Sequence, residues 1–201
     1  DLARLTVMRK VRRDDPYSPE GRGGRRPRHA TMAYTARARQ AGPGVPVILG
    51  GVEASLRRFA YYDYWTDAVR RSVLFDAKAD ILAYGMAERA LAEIAWRLRH
   101  GESPAGVRGT AAIVREPPAE VVALPSFEAL SEKGDAGRIA YREMARVLAR
   151  HAGPWENKPI VQAHGDRWLV TQPAARPLST DEMDLVYGLP FTRRPHPAYG
   201  R

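Results

Sequence analysis

Cysteine is absent from this chain of 201 residues. That excludes disulfides, thiolate zinc sites, a thiol nucleophile and any iron–sulfur cluster held by this segment alone. Long apolar runs are absent too: nothing approaches the ~18 uninterrupted apolar residues of a membrane-spanning helix. The opening Asp1-Leu2-Ala3-Arg4 has no apolar signal core. A cytoplasmic location with no membrane partner is the resulting expectation. His29, His100, His151, His164 and His196 lack a metal-binding spacing such as H-E-x-x-H, so no zinc is expected. There is no G-x-S-x-G elbow, and the Gly21 to Gly24 run lacks the Lys-Ser/Thr ending of a phosphate-binding P-loop. Acidic residues are the scarcer sign, 23 against 32 basic, for a net charge of +9. Such a surplus attracts anions but says nothing of fold.

A hydrophobic content of 44% is enough to bury a core. The chain opens on Asp rather than Met and stops at Tyr199-Gly200-Arg201 after a proline-rich stretch, so it reads as a fragment. Residues 1–29, turn-rich and basic with no apolar period, predict an exposed loop. Residues 30–116 read as an α/β domain. A helix from His29 to Ala41 is stopped by Gly42-Pro43-Gly44, and the short apolar run Val45 to Leu49 ends in Gly50-Gly51. A second run, Ala79 to Tyr84, ends in Gly85 and is followed by an amphipathic helix over Met86 to His100, with Ala87, Leu91, Ile94, Ala95 and Leu98 on one stripe. Gly109 to Val114 supplies a third strand. The alternation predicts a parallel, Rossmann-like α/β sheet with flanking helices.

Pro117-Pro118 marks a boundary before residues 117–201, expected as a small α+β tail. It holds a short extended piece at Val121 to Leu124, a helix within Phe127 to His151, and a hairpin of Lys158 to Gln162 with Arg167 to Val170 about His164-Gly165-Asp166. Ser179-Thr180-Asp181-Glu182 matches a capping box opening a short helix.

Ligands of open α/β sheets sit beyond the carboxyl ends of strands, where glycine lets them approach the main chain. Gly50, Gly51 and Gly85 lie at two such ends. Between and after them, Glu53, Arg57, Arg58, Tyr64 and Trp65 gather charge and aromatic surface. The arginines suit phosphate or carboxylate in fork geometry, and Tyr64 and Trp65 suit stacking on a planar group. Glu53 and Glu88 follow strand-end glycines and form a candidate acid–base pair, although an acid in a first helical turn, as at Glu88, also serves the helix dipole. The plainer reading is that the aromatics cover the core and the arginines face water.

These same residues carry a resemblance. Pro46-Val47-Ile48-Leu49-Gly50-Gly51-Val52-Glu53-Ala54-Ser55-Leu56-Arg57-Arg58 with Tyr62-Asp63-Tyr64-Trp65 resembles the YgiQ-like radical SAM family. The similarity continues through Arg70-Arg71-Ser72, Tyr84-Gly85-Met86, Glu88-Arg89-Ala90, Leu124-Pro125-Ser126-Phe127, Gln162, His164-Gly165-Asp166-Arg167 and His196-Pro197. It implies a Rossmann-type region, similar to the cobalamin-binding domains of other radical SAM proteins, placed before a TIM-like barrel. That barrel, with its C-x3-C-x2-C signature, would be this region's partner in the same parent chain. It would hold the [4Fe–4S] cluster that binds and cleaves S-adenosylmethionine. This chain ends before such a barrel and carries neither its cysteines nor the D-x-H-x-x-G of cobalamin binding. The resemblance therefore implies cofactors in the parent protein, none held here, and gives no support for cobalamin. It fixes no substrate. The alternative from the residues is an anion- or nucleic-acid-binding α/β module. A third reading makes the motifs an interface between domains, which would leave an exposed apolar patch.

Overall fold

In the computed structural model, residues 14, 15, 18–25, 27, 29–64 and 66–194 are described. The expected first helix forms as α1, Ala30–Ala41, closed where the Gly42 N–H donates to the Ala38 carbonyl. Strand β1 is only Ile48–Leu49. Pro46 has no N–H to give a ladder, and the Val47 N–H donates to the Asp80 carboxylate, 2.7 Å away. A short helix α2, Gly51–Leu56, leaves the end of β1. A hairpin of β2, Tyr61–Asp63, and β3, Ala68–Arg70, follows. Next come α3, Val73–Ala77, and β4, Ile81–Ala83, and then the amphipathic α4, Glu88–Arg99.

The sheet is mixed, which corrects the expected parallel one. Strand β5, Thr110–Val114, lies antiparallel to β4, with Thr110 opposite Ala83. The chain after α4 explains this: Leu98 and Ser103 share a cavity with Asp80 and Val114, so that helix ends near the start of β4. Residues 103–109 then run back along the sheet, and β5 starts where β4 finished.

The strands after residue 117 join the same sheet. Strand β6 is Val122–Ala123, and β7, Ile160–His164, forms the expected hairpin with β8, Arg167–Thr171. Strand β8 pairs antiparallel with β5, giving the order β1-β4-β5-β8-β7-β6. Among these pairs, β1–β4 and β6–β7 are parallel. The helix expected within Phe127 to His151 is two helices, α5, Phe127–Ser131, and α6, Asp135–His151. Between them Gly134 takes φ 79°, and a Cβ on Gly137 would stand 2.1 Å from the Glu132 carbonyl oxygen. The capping box opens α7, Thr180–Tyr187, as expected.

Alternation along the strands divides the core. Ile48 and Ile81 face Ala90 and Ile94 of α4 together with Val107. Leu49, Leu82, Ala111 and Leu169 face the other way, into the main core with Leu74, Leu130 and Met144. Within the segment expected as an exposed loop, residues 1–29, Asp14, Glu20, Arg22, Gly24 and Arg25 are exposed, while Asp15 and Ser18 are buried. There the Asp15 N–H donates to the Gly21 carbonyl across a tight turn. Residues 1–13, 16, 17, 26 and 28 lie outside the described residues. No helix among the described residues is long and apolar enough to cross a membrane.

Candidate functional site

The carboxyl ends of β1 and β4 lie side by side, and α2 springs from the first. Gly50 is extended, whereas Gly51 takes φ 84° as the first residue of α2. That left-handed value strains any side-chain-bearing residue. The turn brings Glu53 back toward α1. Its Oε2 accepts from the Thr31 N–H at 3.4 Å, one of the free donors of that helix's first turn. Its Oε1 accepts from Arg57 Nη1 at 2.6 Å. Arg57 is buried and lies 5.2 Å from the Tyr61 ring centre. The Arg57 carbonyl accepts from the Val73 N–H. Glu53 and Arg57 therefore neutralise each other in a clamp joining α1, α2 and α3. Both are committed, so neither the Glu53–Glu88 acid–base pair nor a two-arginine fork is assembled.

Arg58 is the opposite case. Its guanidinium lies between the rings of Tyr84, 4.6 Å away, and Phe59, 5.0 Å away. Nη1 donates to the Ser55 carbonyl at 2.6 Å. Nε is buried without an acceptor. Among the described residues no carboxylate is paired with it, and burial lowers its pKa below the usual arginine value. Tyr84 below it donates its hydroxyl to the Gln172 carbonyl at 2.5 Å. Burial raises the pKa of that hydroxyl, and the nearby Arg58 and Arg108 oppose the rise.

The neighbouring turn completes this face. Gly85 takes φ 68°, and its N–H meets Ser55 Oγ at 3.3 Å. Glu88, the first residue of α4, keeps Oε2 buried with no donor. Arg89 pairs with Glu182, which ties α4 to the cap of α7. That contact, with the Ser179 N–H, holds the Glu182 carboxyl down at about 2. Around the turn Val52, Leu56 and Met86 are exposed, as are Leu185, Tyr187 and Phe191 of α7 and its exit. Tyr64 is placed elsewhere, in the turn of the β2–β3 hairpin, whose Tyr62 N–H bonds the Tyr141 hydroxyl of α6 at 2.8 Å. Trp65 lies outside the described residues.

Sequence reasoning missed Ser55 and Tyr84, which hold Arg58 and Gly85 in place. It also could not separate Arg57 from Arg58. The signal that distinguishes them is the four-residue spacing of Glu53 and Arg57, which pairs them only on a helix.

With no cysteine in the chain, and no group of three or more His, Asp or Glu able to hold a metal among the described residues, these residues do not fit an iron–sulfur cluster.

Comparison with known proteins gives this face its context. Residues 2–201 match the family described as Radical SAM N-terminal. A UPF0313 protein of Geobacter sulfurreducens is 51% identical over 99% of this chain and 33% of its own length. One from Rhodopseudomonas palustris is 46% identical over 98% of the chain and 32% of its own length. One from Vibrio parahaemolyticus is 42% identical over the whole chain and 32% of its own length. The chain thus spans about a third of the length of these relatives. No solved structure matches it significantly. On this evidence the chain belongs to the Radical SAM N-terminal family, shared with the UPF0313 or YgiQ-like proteins.

Proposed function

We infer that this chain is the N-terminal accessory region of a radical SAM enzyme, with the [4Fe–4S] cluster and S-adenosylmethionine held by the part of the parent protein outside it. Its strand-end face, with Gly50, Gly51, Arg58, Gly85 and Glu88, closes against the radical SAM barrel of the same parent chain. The observation that carries this reading is Arg58, a guanidinium between two aromatic rings with a buried Nε and no counter-charge among the described residues. Leaving the buried Nε of this half-buried cation unbonded is costly, and exposed Val52, Leu56 and Met86 beside it are surface that water disfavours. Both features are relieved by a partner surface with an apolar rim and one anionic or accepting group. Two thirds of the relatives' length lies beyond this chain and can supply it. Arg58 and Glu88 contribute a positioned donor and an acceptor to that contact. The substrate is unassigned, and no cobalamin is proposed. A cytoplasmic location remains an expectation of this reading.

The test is made on the full-length parent protein, reconstituted anaerobically. It takes up about four irons, as a [4Fe–4S] cluster requires, and cleaves S-adenosylmethionine. Arg58→Gln keeps the iron but lowers cleavage, whereas Arg58→Lys recovers part of it. A parent protein that binds no iron overturns the enzyme reading. Full activity in Arg58→Gln overturns the role given to this face.

A further inference from the structure

The opposite end of the sheet carries a second unfinished site. There the start of β4, the end of β5 and the β7–β8 turn surround a cleft of about 730 Å³, within the range of small-molecule sites. Its rim holds four cationic side chains, Arg39, Arg71, Lys78 and Arg167, against the carboxylates of Asp80 and Asp166. Two of the cations are already engaged. Arg39 forks onto the Lys78 carbonyl, with Nε at 3.2 Å and Nη2 at 2.9 Å, and reaches Asp80 Oδ2 at 2.9 Å. Arg71 Nε meets Asp76 Oδ1 at 2.5 Å. Lys78 and Arg167 are exposed and pair with no carboxylate among the described residues.

Lys78 is also held in an uncommon backbone state. It ends α3 with φ 56° and ψ 35°, a left-handed conformation usually left to glycine or asparagine. The Arg39 fork on its carbonyl fixes that geometry. A strained lysine kept at the mouth of a cleft is the pattern of a functional position.

The inner wall is aromatic and apolar, made by Leu74, Phe75, Ala79, Ile113 and His164. The Phe75 and His164 rings lie 4.5 Å apart. His164 belongs to this wall as a neutral ring, because burial brings its pKa down to about 4. Its tautomer follows from Gln162. That amide donates through Nε2 to the Pro125 carbonyl, so its Oε1, which accepts from the Ala60 N–H, faces His164 Nε2 at 3.2 Å as an acceptor. The imidazole proton therefore sits on Nε2.

From the cationic rim and the aromatic wall we propose that this cleft binds a phosphorylated small molecule with a planar body, such as a mononucleotide, with Lys78 and Arg167 on the phosphate. The site is separate from the strand-end face and does not depend on the radical SAM reading.

The test is calorimetric titration of the full-length parent protein with AMP, inorganic phosphate and a short single-stranded RNA. AMP binds more tightly than phosphate, and Lys78→Gln combined with Arg167→Gln weakens it by roughly tenfold or more. Lys78→Arg retains binding. Lys78→Gly, which relieves the left-handed backbone, loses binding without loss of thermal stability, separating the charge from the fold. Three results overturn the proposal: no AMP binding to the unaltered protein, equal binding by the charge-removing variants, or RNA binding that AMP does not displace.

Discussion

The two ends of one sheet are unfinished in opposite ways. At the carboxyl ends of β1 and β4, Arg58 lies between rings with its Nε out of water, while apolar side chains stand exposed around it. At the other end the cations stand in water and the aromatic surface lies inside a cleft. A half-desolvated charge within an apolar rim suits a protein contact, because a counter-charge supplied from a surface that excludes water completes its burial. Solvated charges around an aromatic wall suit a soluble ligand that arrives with its own charge.

Variants that disturb one end at a time test whether the ends are independent. Glu53→Gln removes the counter-charge of Arg57, whose side chain is only 10% exposed. The expected loss is about 3 kcal/mol, as for other broken buried pairs. It is measurable by urea denaturation and leaves AMP binding at the far cleft unchanged in the folded protein. A simultaneous loss at the cleft would break the comparison.

Acid acts first at the other end. The folded-state pKa of His164 is depressed from 6.5 to about 4, so its contribution is fully present above pH 6.5. That contribution is lost as pH falls through this window, because the unfolded chain takes up the proton earlier. Denaturation midpoints measured from pH 7 to 4 should fall, and an NMR titration of the His164 ring should show its midpoint near pH 4.

Gly51→Ala comes next. A left-handed φ of 84° should cost an alanine about 1–2 kcal/mol, read as a lower thermal midpoint. The smallest effect belongs to Ser179→Ala, about 1 kcal/mol for a lost cap, seen as faster amide exchange in α7 with both ends of the sheet intact.

Elements that depend on near neighbours were legible in advance. The stripe of Leu91, Ile94 and Leu98 marks α4, the Ser179 and Glu182 pair marks the start of α7, and His164-Gly165-Asp166 marks the β7–β8 turn. What escaped depends on distant partners. Nothing local in Gly109 to Val114 says that the strand runs antiparallel to β4, because the same residues satisfy either ladder. Helix α2, Gly51–Leu56, has no counterpart among the elements expected from the sequence. The break before α6 needs the Glu132 carbonyl beside Gly137, a contact invisible in composition.

The candidate site divides along the same line. Its glycines and charges were legible, but not which arginine is neutralised. The cleft at the other end was not read as a site, since Arg39, Arg71, Lys78 and Arg167 meet only when α1, α3 and the hairpin close on the sheet.

The sequence by itself determined the absence of thiolate ligands, the apolar strands and amphipathic helices, and the motifs shared with the YgiQ-like family, because each is a property of residues close along the chain. Only the tertiary structure decided the mixed sheet and the different fates of Arg57 and Arg58. Strand direction and the pairing of charges depend on which distant groups are brought within a hydrogen bond's reach, and on how much water is left between them.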